Sequence, residues 1–173
     1  MTAHSIEEPA WSPVAQLEAV EIRQYEPVIQ ARTAIGQEGR STSGFRTLAD
    51  YIFGGNAREQ SIAMTAPVEE LLAERDAYMA FTMPAEYGLE ELPEPTDGQV
   101  TLHPVPARTM AVVSFSGWAR SAVVARKTRL LFETLEGSDW EPVGSPSLNQ
   151  YNPPWTPPWS RRNEVTVEVR PVN

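Results

Sequence analysis

The chain has 173 residues and no cysteine, and its 23 acidic residues outnumber its 14 basic residues, for a formal net charge of −9 at pH 7. The absence of cysteine excludes disulfides and thiolate metal sites, and the negative charge argues against binding to nucleic acid, whose phosphates it repels. No apolar run approaches the roughly 20 residues that span a bilayer. We therefore expect a soluble, cytoplasmic protein with no membrane insertion, and the composition leaves its oligomeric state open.

The first segment of the chain, residues 1–19, is acidic and contains proline, so we expect a flexible arm ahead of a single domain at residues 20–173. Val20 and Ile22 then alternate with polar residues, and the alternation resumes in a shifted frame from Ile29 to Ile35. This pattern predicts one long strand that is bent or bulged at Pro27.

A helical pattern follows. Its apolar residues have the spacing of one buried helical stripe: Phe45, Leu48, Ala49, Ile52 and Phe53. Arg46, Asp50 and Tyr51 fall on the opposite face. A hydroxyl at residues 41–43 can cap the start of the helix, and Gly54 can adopt the left-handed conformation that ends it.

The next segment changes to the period of a strand, because Ile62, Met64, Ala66 and Val68 occupy alternate positions. A second alternating segment runs from Met79 to Met83. Residues 92–98, LPEPTDG, have the composition of a connection between two halves of the chain.

The second half repeats this order. Alternation predicts strands at residues 100–102 and 111–115, and a broad apolar face predicts a helix that ends at Gly137. The strand pattern is weak at residues 142–151 and clean at residues 165–169. Both halves are thus predicted as strand, helix, strand, strand, which indicates an internal duplication.

Five segments, in this order, resemble the SOUL/haem-binding protein family: the helix and MTAPV of residues 45–68, FTMP (81–84), LPEP (92–95), FSG (115–117) and YNPPWTPPWSRRNEV (151–165). The resemblance extends over roughly residues 20–169. It implies an α+β fold, a distorted and mostly antiparallel β-barrel with two flanking helices. It also implies haem b or another porphyrin as cofactor.

In the family, the first helix and the loop that corresponds to residues 151–159 line the proposed haem groove. Here the loop carries Tyr151, Trp155 and Trp159 among four prolines, and aromatic faces on a rigid loop suit a planar ligand. The alternative is a lid whose tryptophans close one end of the barrel.

The resemblance implies an iron-ligating histidine where this chain has Gln24, so that axial bond is missing. Tyr51, Met64 and Met83 could ligate iron, although methionines on a strand face more often fill a core. The two histidines are His4, in the arm, and His103, which alternation points outward.

Basic side chains would pair with the haem propionates. A lysine of the family loop and an arginine of its first helix correspond here to Thr156 and Thr47. Arg46 and either Arg161 or Arg162 are possible substitutes, with surface ion pairing as their alternative role. The predicted cofactor site comprises Arg46, Thr47, Tyr51, Met64, Tyr151, Trp155, Trp159 and Arg161.

Three functions compete. The first is a protein that binds, buffers or transfers a tetrapyrrole in an apolar, aromatic groove without an assured axial ligand. The second is a small-molecule effector-binding module like the ligand domains of bacterial regulators, in which an acidic groove would favour cations. The third is an enzyme acting on a tetrapyrrole, for which we assign no catalytic residue and no metal ligand. The adjacent pairs Glu69 with Glu70 and Glu90 with Glu91 are interpreted as solvated charge.

Overall fold

The computed structural model of the protein describes residues 6–36 and 41–173, and these contain nine strands and two helices. The strands are β1 (Trp11–Leu17), β2 (Val20–Tyr25), β3 (Val28–Ala34), β4 (Val68–Leu71), β5 (Tyr78–Thr82), β6 (Thr101–Val105), β7 (Arg108–Phe115), β8 (Trp140–Gln150) and β9 (Asn163–Pro171). The helices are α1 (Ser41–Ile52) and α2 (Ser121–Leu135), and a short 3-10 helix covers Pro158–Ser160. The fold is α+β, and neither helix in this part of the chain is long and apolar enough to cross a membrane.

The described residues divide into two compact units. The first contains residues 6–9, 27–36, 41–70 and 74–106. Its strands follow the order β4-β5-β3-β6 with antiparallel pairings, and α1 packs on β3 and β5. The core of this unit lies between α1 and the strands and includes Leu48, Ile52, Phe81 and Val100.

The second unit contains residues 10–26, 71–73 and 107–173. Its strands follow the order β1-β2-β7-β9-β8, again antiparallel, and α2 packs on β7, β8 and β9. A separate core includes Ile22, Val124, Leu131, Leu135 and Val165. The apolar face predicted for the second helix and the strand predicted at residues 165–169 are confirmed.

The two units share one arrangement. The first unit contains β3, α1, β4 and β5 in chain order, and the second contains β7, α2, β8 and β9. The spatial orders β4-β5-β3-β6 and β8-β9-β7-β2 then match strand for strand. The fourth strand follows the repeat in the first unit, as β6, but precedes it in the second, as β2. The strand, helix, strand, strand pattern of both halves is therefore present.

A closed barrel is not confirmed. Among the described strands, β1 pairs only with β2 and β6 only with β3, so the strand pairings do not close into a barrel. In addition, residues 11–17, within the segment expected to be an arm, form β1 and pair with β2 along its length. The long strand predicted around Pro27 is two strands, because β2 pairs with β7 whereas β3 pairs with β5 and β6.

The buried face of α1 differs in part from the predicted stripe. Leu48, Ala49 and Ile52 are buried as expected, and Tyr51 is buried as well. Phe45 and Phe53, which were also predicted in the buried stripe, are 41% and 70% exposed. Tyr51 is fixed inside the unit because its hydroxyl donates a 2.6 Å hydrogen bond to the carbonyl of Pro93. Phe53 follows the end of the helix, where Gly54 takes a φ of 113° and turns the chain.

Two strand predictions were wrong in their extent. Residues 62–67 are not a strand, and β4 begins only at Val68. Thr65 is buried on the supposedly outward side because its hydroxyl donates to the carbonyl of Thr82. The weak pattern at residues 142–151 belongs to β8, an 11-residue strand. Its alternation is interrupted where the register with β9 shifts between Val143 and Ser147, around Gly144 at a φ of 76°.

The interpretation of the paired glutamates as solvated charge holds for Glu90 and Glu91, which are exposed, but is wrong for Glu69, which is buried. Glu69 lies on β4, and one of its carboxylate oxygens accepts a 3.4 Å hydrogen bond from the side-chain amide of Gln30. Burial also raises the pKa of its half-buried neighbour Glu70. Among residues 41–43, the predicted capping positions, the side chain of Ser41 lies outside the described part.

Candidate functional site

The aromatic loop, residues 151–162, connects β8 to β9 in the second unit and is closed at its base. The backbone N–H of Tyr151 donates to the carbonyl of Arg162 at 3.2 Å, and the N–H of Arg162 donates to the side-chain oxygen of Asn152 at 2.5 Å. Within the loop, the N–H groups of Thr156 and Ser160 donate to carbonyls three residues earlier. The prolines and these short-range bonds give the loop one defined path.

The side chain of Arg161 stabilises the loop by hydrogen bonds to its backbone. Its side chain is buried, and its Nη1 donates to the carbonyl oxygens of Pro153, Pro154 and Thr156 at 3.2, 3.4 and 3.1 Å. The guanidinium carbon also lies 4.8 Å from the centroid of the Trp118 ring. Its Nε is buried and has no hydrogen-bond partner among the described residues. The predicted role of Arg161, pairing with a carboxylate of the ligand, stays a prediction; the contacts observed here are with the loop itself.

In contrast to the buried Arg161, the side chains of Trp155 and Trp159 are 83% and 80% exposed. Trp155 precedes Thr156, and Trp159 lies in the 3-10 helix. Neither ring is a buried plug, so replacing either one should leave no cavity. A fixed backbone that presents two exposed indole rings provides flat apolar surface to solvent.

Tyr151 anchors the start of the loop to a buried ionic cluster that the sequence analysis missed. Its hydroxyl donates a 2.6 Å hydrogen bond to one carboxylate oxygen of Glu164, a residue of β9 that is 3% exposed. Arg23 of β2 donates to the other oxygen at 3.0 Å. Arg23 also donates to the Tyr25 hydroxyl at 2.9 Å and to Glu21 at 2.6 Å. The loop is therefore tied to two strands of its unit.

The electrostatics of the cluster favour one protonation state. Burial lowers the pKa of Arg23, but its hydrogen bond to Tyr25, the charge of Glu164 and its hydrogen bond to Glu21 outweigh this, so the pKa is raised overall. Burial, followed by the charge of Glu164, raises the pKa of Tyr151. At neutral pH the cluster thus holds a cationic Arg23 and a neutral Tyr151 that serves as a donor. Arg162, whose guanidinium carbon lies 3.7 Å from the Tyr151 ring centroid, covers the ring.

The remaining predicted site residues belong to the first unit. Arg46 is exposed and makes no hydrogen bond or ion pair with the described residues, and the Thr47 hydroxyl donates to the carbonyl of Ser43 at 3.0 Å. Met64 is half-buried against the core. Tyr51 is buried, and this burial raises its pKa to about 12, which disfavours the phenolate that would bind iron.

Gln24 and His103 both have partners on their own strands or on neighbouring ones. The side-chain oxygen of Gln24 accepts a 2.7 Å hydrogen bond from the hydroxyl of Thr109. Nε2 of His103 lies 2.7 Å from the Thr101 hydroxyl, and burial, followed by the charge of Arg32, lowers its pKa. His4 lies outside the described residues. In the part of the chain that is described, no group of three or more histidine, aspartate or glutamate side chains could hold a metal ion.

The structure thus brings four of the eight predicted residues into one loop, Tyr151, Trp155, Trp159 and Arg161. The other four lie in the first unit, and Tyr51 and Met64 belong to its core or pack against it. Arg23 and Glu164 were missed because alternation predicts which face a side chain occupies but not what covers that face.

Comparison with solved structures first defines the class of fold. The chain resembles the C-terminal domain of EcmrR, with a TM-score of 0.67, 14% identity, and coverage of 88% of this chain and 98% of that one. A hydrolase from Listeria innocua matches with a TM-score of 0.59, 12% identity, and coverage of 90% and 94%. SAV2435 bound to tetraphenylphosphonium matches with a TM-score of 0.52, 10% identity, and coverage of 87% and 93%. Because the identities are low, these matches show a shared α+β fold and nothing more.

Sequence comparison then gives the family. The profile described as SOUL heme-binding protein matches residues 6–168, nearly the whole chain. The protein belongs to the SOUL heme-binding protein family, as the five sequence segments predicted. No curated protein matches the chain.

Proposed function

We propose that this protein binds haem or a related tetrapyrrole on the exposed aromatic surface of the loop at residues 151–162. Membership of the SOUL heme-binding protein family supports the ligand class. The main observation in favour of this binding site is that Trp155 and Trp159 are 83% and 80% exposed, on a loop held by buried polar contacts. Large apolar rings exposed on one short loop are typical of a binding surface.

The loop fits the organic ring of a tetrapyrrole better than it fits the iron. Two exposed indoles offer apolar and stacking contacts to a flat macrocycle. Arg161 and the cluster at Tyr151 hold the loop before any ligand arrives, so little conformational entropy is lost on binding. Gln24 is bonded to Thr109, and the Tyr51 hydroxyl is bonded to a carbonyl within its core. We therefore propose that the tetrapyrrole binds without an axial ligand from Gln24 or Tyr51. The proposed role of this binding is to buffer or transfer the tetrapyrrole rather than to convert it chemically.

The test is a titration of the purified protein with haemin and with metal-free protoporphyrin, following the Soret band and tryptophan emission. We expect the two ligands to bind with similar affinity, because the iron contributes no bond. Trp155→Ala and Trp159→Ala should each weaken binding by roughly 5- to 150-fold, since a stacked ring contributes about 1 to 3 kcal/mol. Both variants should melt like the parent protein, because the removed side chains are exposed.

The matched control is Trp140→Phe. Trp140 is half-buried at the start of β8, where it pairs with Pro171, at the opposite end of the strand from the loop. This variant should retain the parent affinity. Binding that survives removal of both loop tryptophans would refute the location, and saturable binding of tetraphenylphosphonium in place of haemin would favour the effector-binding module.

A further inference from the structure

The second unit contains a cleft beside the aromatic loop. The end of β7, the segment that follows it and the first two turns of α2 line this cleft, whose volume is about 570 Å³. That volume falls within the range of about 300 to 1,000 Å³ typical of small-molecule sites. Phe115 and Trp118 give the cleft aromatic surface, and Arg120, Arg126 and Lys127 give it positive charge.

The three cations have no counter-charge. No aspartate or glutamate lines the cleft among the described residues. Within the same part of the chain, the side chains of Arg120, Arg126 and Lys127 form no hydrogen bond or ion pair. Acidic residues outnumber basic ones in this protein by 23 to 14, so three unpaired cations around one cleft run against its composition. Such an arrangement attracts an anion and can donate charge-assisted hydrogen bonds to it.

Two further features add to the positive character of the cleft. Arg120 occupies the N-cap position of α2, and no side chain caps the first turn of the helix. The N–H groups of that turn therefore contribute partial positive charge next to the cleft. The guanidinium carbon of the buried Arg161 lies 4.8 Å from the Trp118 ring centroid, and Nε of Arg161 has no acceptor among the described residues.

The cleft is joined to the aromatic loop by direct hydrogen bonds. The N–H of Gly117 donates to the carbonyl of Pro158 at 2.9 Å, and the side-chain amide of Asn163 donates to the carbonyl of Gly117 at 2.9 Å. Pro158 directly precedes Trp159. The segment that leads into Trp118 is thus hydrogen-bonded to the loop.

We propose that this cleft binds the acidic side chains of the planar ligand whose ring contacts the loop, with Arg120, Arg126 and Lys127 as the cationic partners. The ligand class is then a planar aromatic molecule that carries two or more carboxylates, such as the free-acid form of a porphyrin. For the tetrapyrrole this inference rests on the proposed function. It excludes neutral and cationic planar molecules as preferred ligands.

The test compares protoporphyrin with its dimethyl ester, in which both carboxylates are neutral, on the full chain. We expect the ester to bind at least roughly tenfold more weakly, because hydrogen bonds to charged groups are lost. Arg126→Gln and Lys127→Gln should weaken binding of the free acid by a similar factor while leaving binding of the ester unchanged. Affinity for the free acid should also fall as ionic strength rises.

The control variant is Arg129→Gln, on the same helix. Arg129 is exposed and does not line the cleft, so its removal lowers the total charge equally without touching the proposed site. Equal losses in Arg129→Gln and Arg126→Gln would overturn the proposal, because the effect would then be one of net charge. Melting temperatures of all three variants should match the parent protein, since these side chains have no partners among the described residues to lose.

A second probe, pyrene tetrasulfonate, separates this inference from the proposed function. Binding of the sulfonate that depends on Arg126 and Lys127, without any porphyrin binding, would sustain the anion site and overturn the tetrapyrrole function. Equal binding of free acid and ester, unaffected by the cation variants, would overturn the anion site and leave the function standing. Binding of neither probe would overturn both.

Discussion

Glu164→Gln is the most direct test of how the second unit holds its aromatic loop. The substitution keeps the size of the side chain and one acceptor oxygen, but removes the negative charge that Arg23 faces at 3.0 Å. The side chains of both partners are almost inaccessible, at 9% and 3% exposed. Tyr151 also loses the carboxylate that accepts its 2.6 Å hydrogen bond.

The expected loss follows from burial. Removing one partner of a buried ion pair costs about 3 to 5 kcal/mol, because the remaining charge stays buried. Glu21 still pairs with Arg23 at 2.6 Å, which places the loss near the lower end, at about 3 kcal/mol. For a chain of this size, each kcal/mol corresponds to about 2 to 4 °C, so the melting temperature should fall by about 6 to 12 °C.

The assay is thermal unfolding followed by circular dichroism, with Glu141→Gln as the matched control. Glu141 on β8 pairs with Arg170 on β9 at 2.6 Å, but these side chains are 43% and 69% exposed. The control should lose less than about 1 kcal/mol. In a double-mutant cycle with Arg23→Met, the combined loss should fall short of the sum by at least about 1 kcal/mol. Additive losses, or equal losses in Glu164→Gln and the control, would refute the reasoning.

Three further outcomes are expected. Ile52→Asp should unfold the first unit or lower its stability by several kcal/mol, because it places an unpaired charge in a core position that is 1% exposed; a parent-like melting temperature would contradict this. His103→Ala should leave the Soret band and haemin affinity unchanged, since the ring contacts Thr101 on β6, and a shifted band would reverse the assignment. Glu70→Gln should raise the melting temperature at pH 7, with a difference that vanishes below about pH 4. Burial raises the pKa of Glu70 in the folded protein, so the stability it contributes at low pH is lost as pH rises through that pKa; a larger difference at pH 4 than at pH 7 would disprove it.

Periodicity predicted the elements whose patterns are regular. The face of α2 with Val124, Leu131 and Leu135 and the strand at residues 165–169 follow from apolar spacing alone. Apolar spacing did not predict the strand β8 clearly, because the bulge around Gly144 shifts the alternation from one face to the other within this strand. Tyr51 was placed on the wrong face of α1 because its partner, the carbonyl of Pro93, lies 42 residues away.

The candidate site, like the fold, could be predicted from the sequence only in part. The composition of residues 151–159 was enough to predict a rigid aromatic loop, and the structure has one defined by short-range bonds. The role of Arg161 was not predictable, because three carbonyls between residues 153 and 156 reach its guanidinium only once the loop has turned back on itself. Spacing along a sequence indicates what side chains can share a face, whereas a loop converges by its backbone path.

Net charge was the least informative guide to the ligand. With a total of −9, an acidic groove that favours cations was expected for the effector-binding module. The cleft beside the loop nevertheless presents Arg120, Arg126 and Lys127 with no acidic residue in its described lining. At physiological ionic strength, charges beyond about 8 Å are largely screened, so a ligand in the cleft responds mainly to the cations that touch it. A sum over the whole chain cannot report that local field, and the comparison of free acid with ester measures it directly.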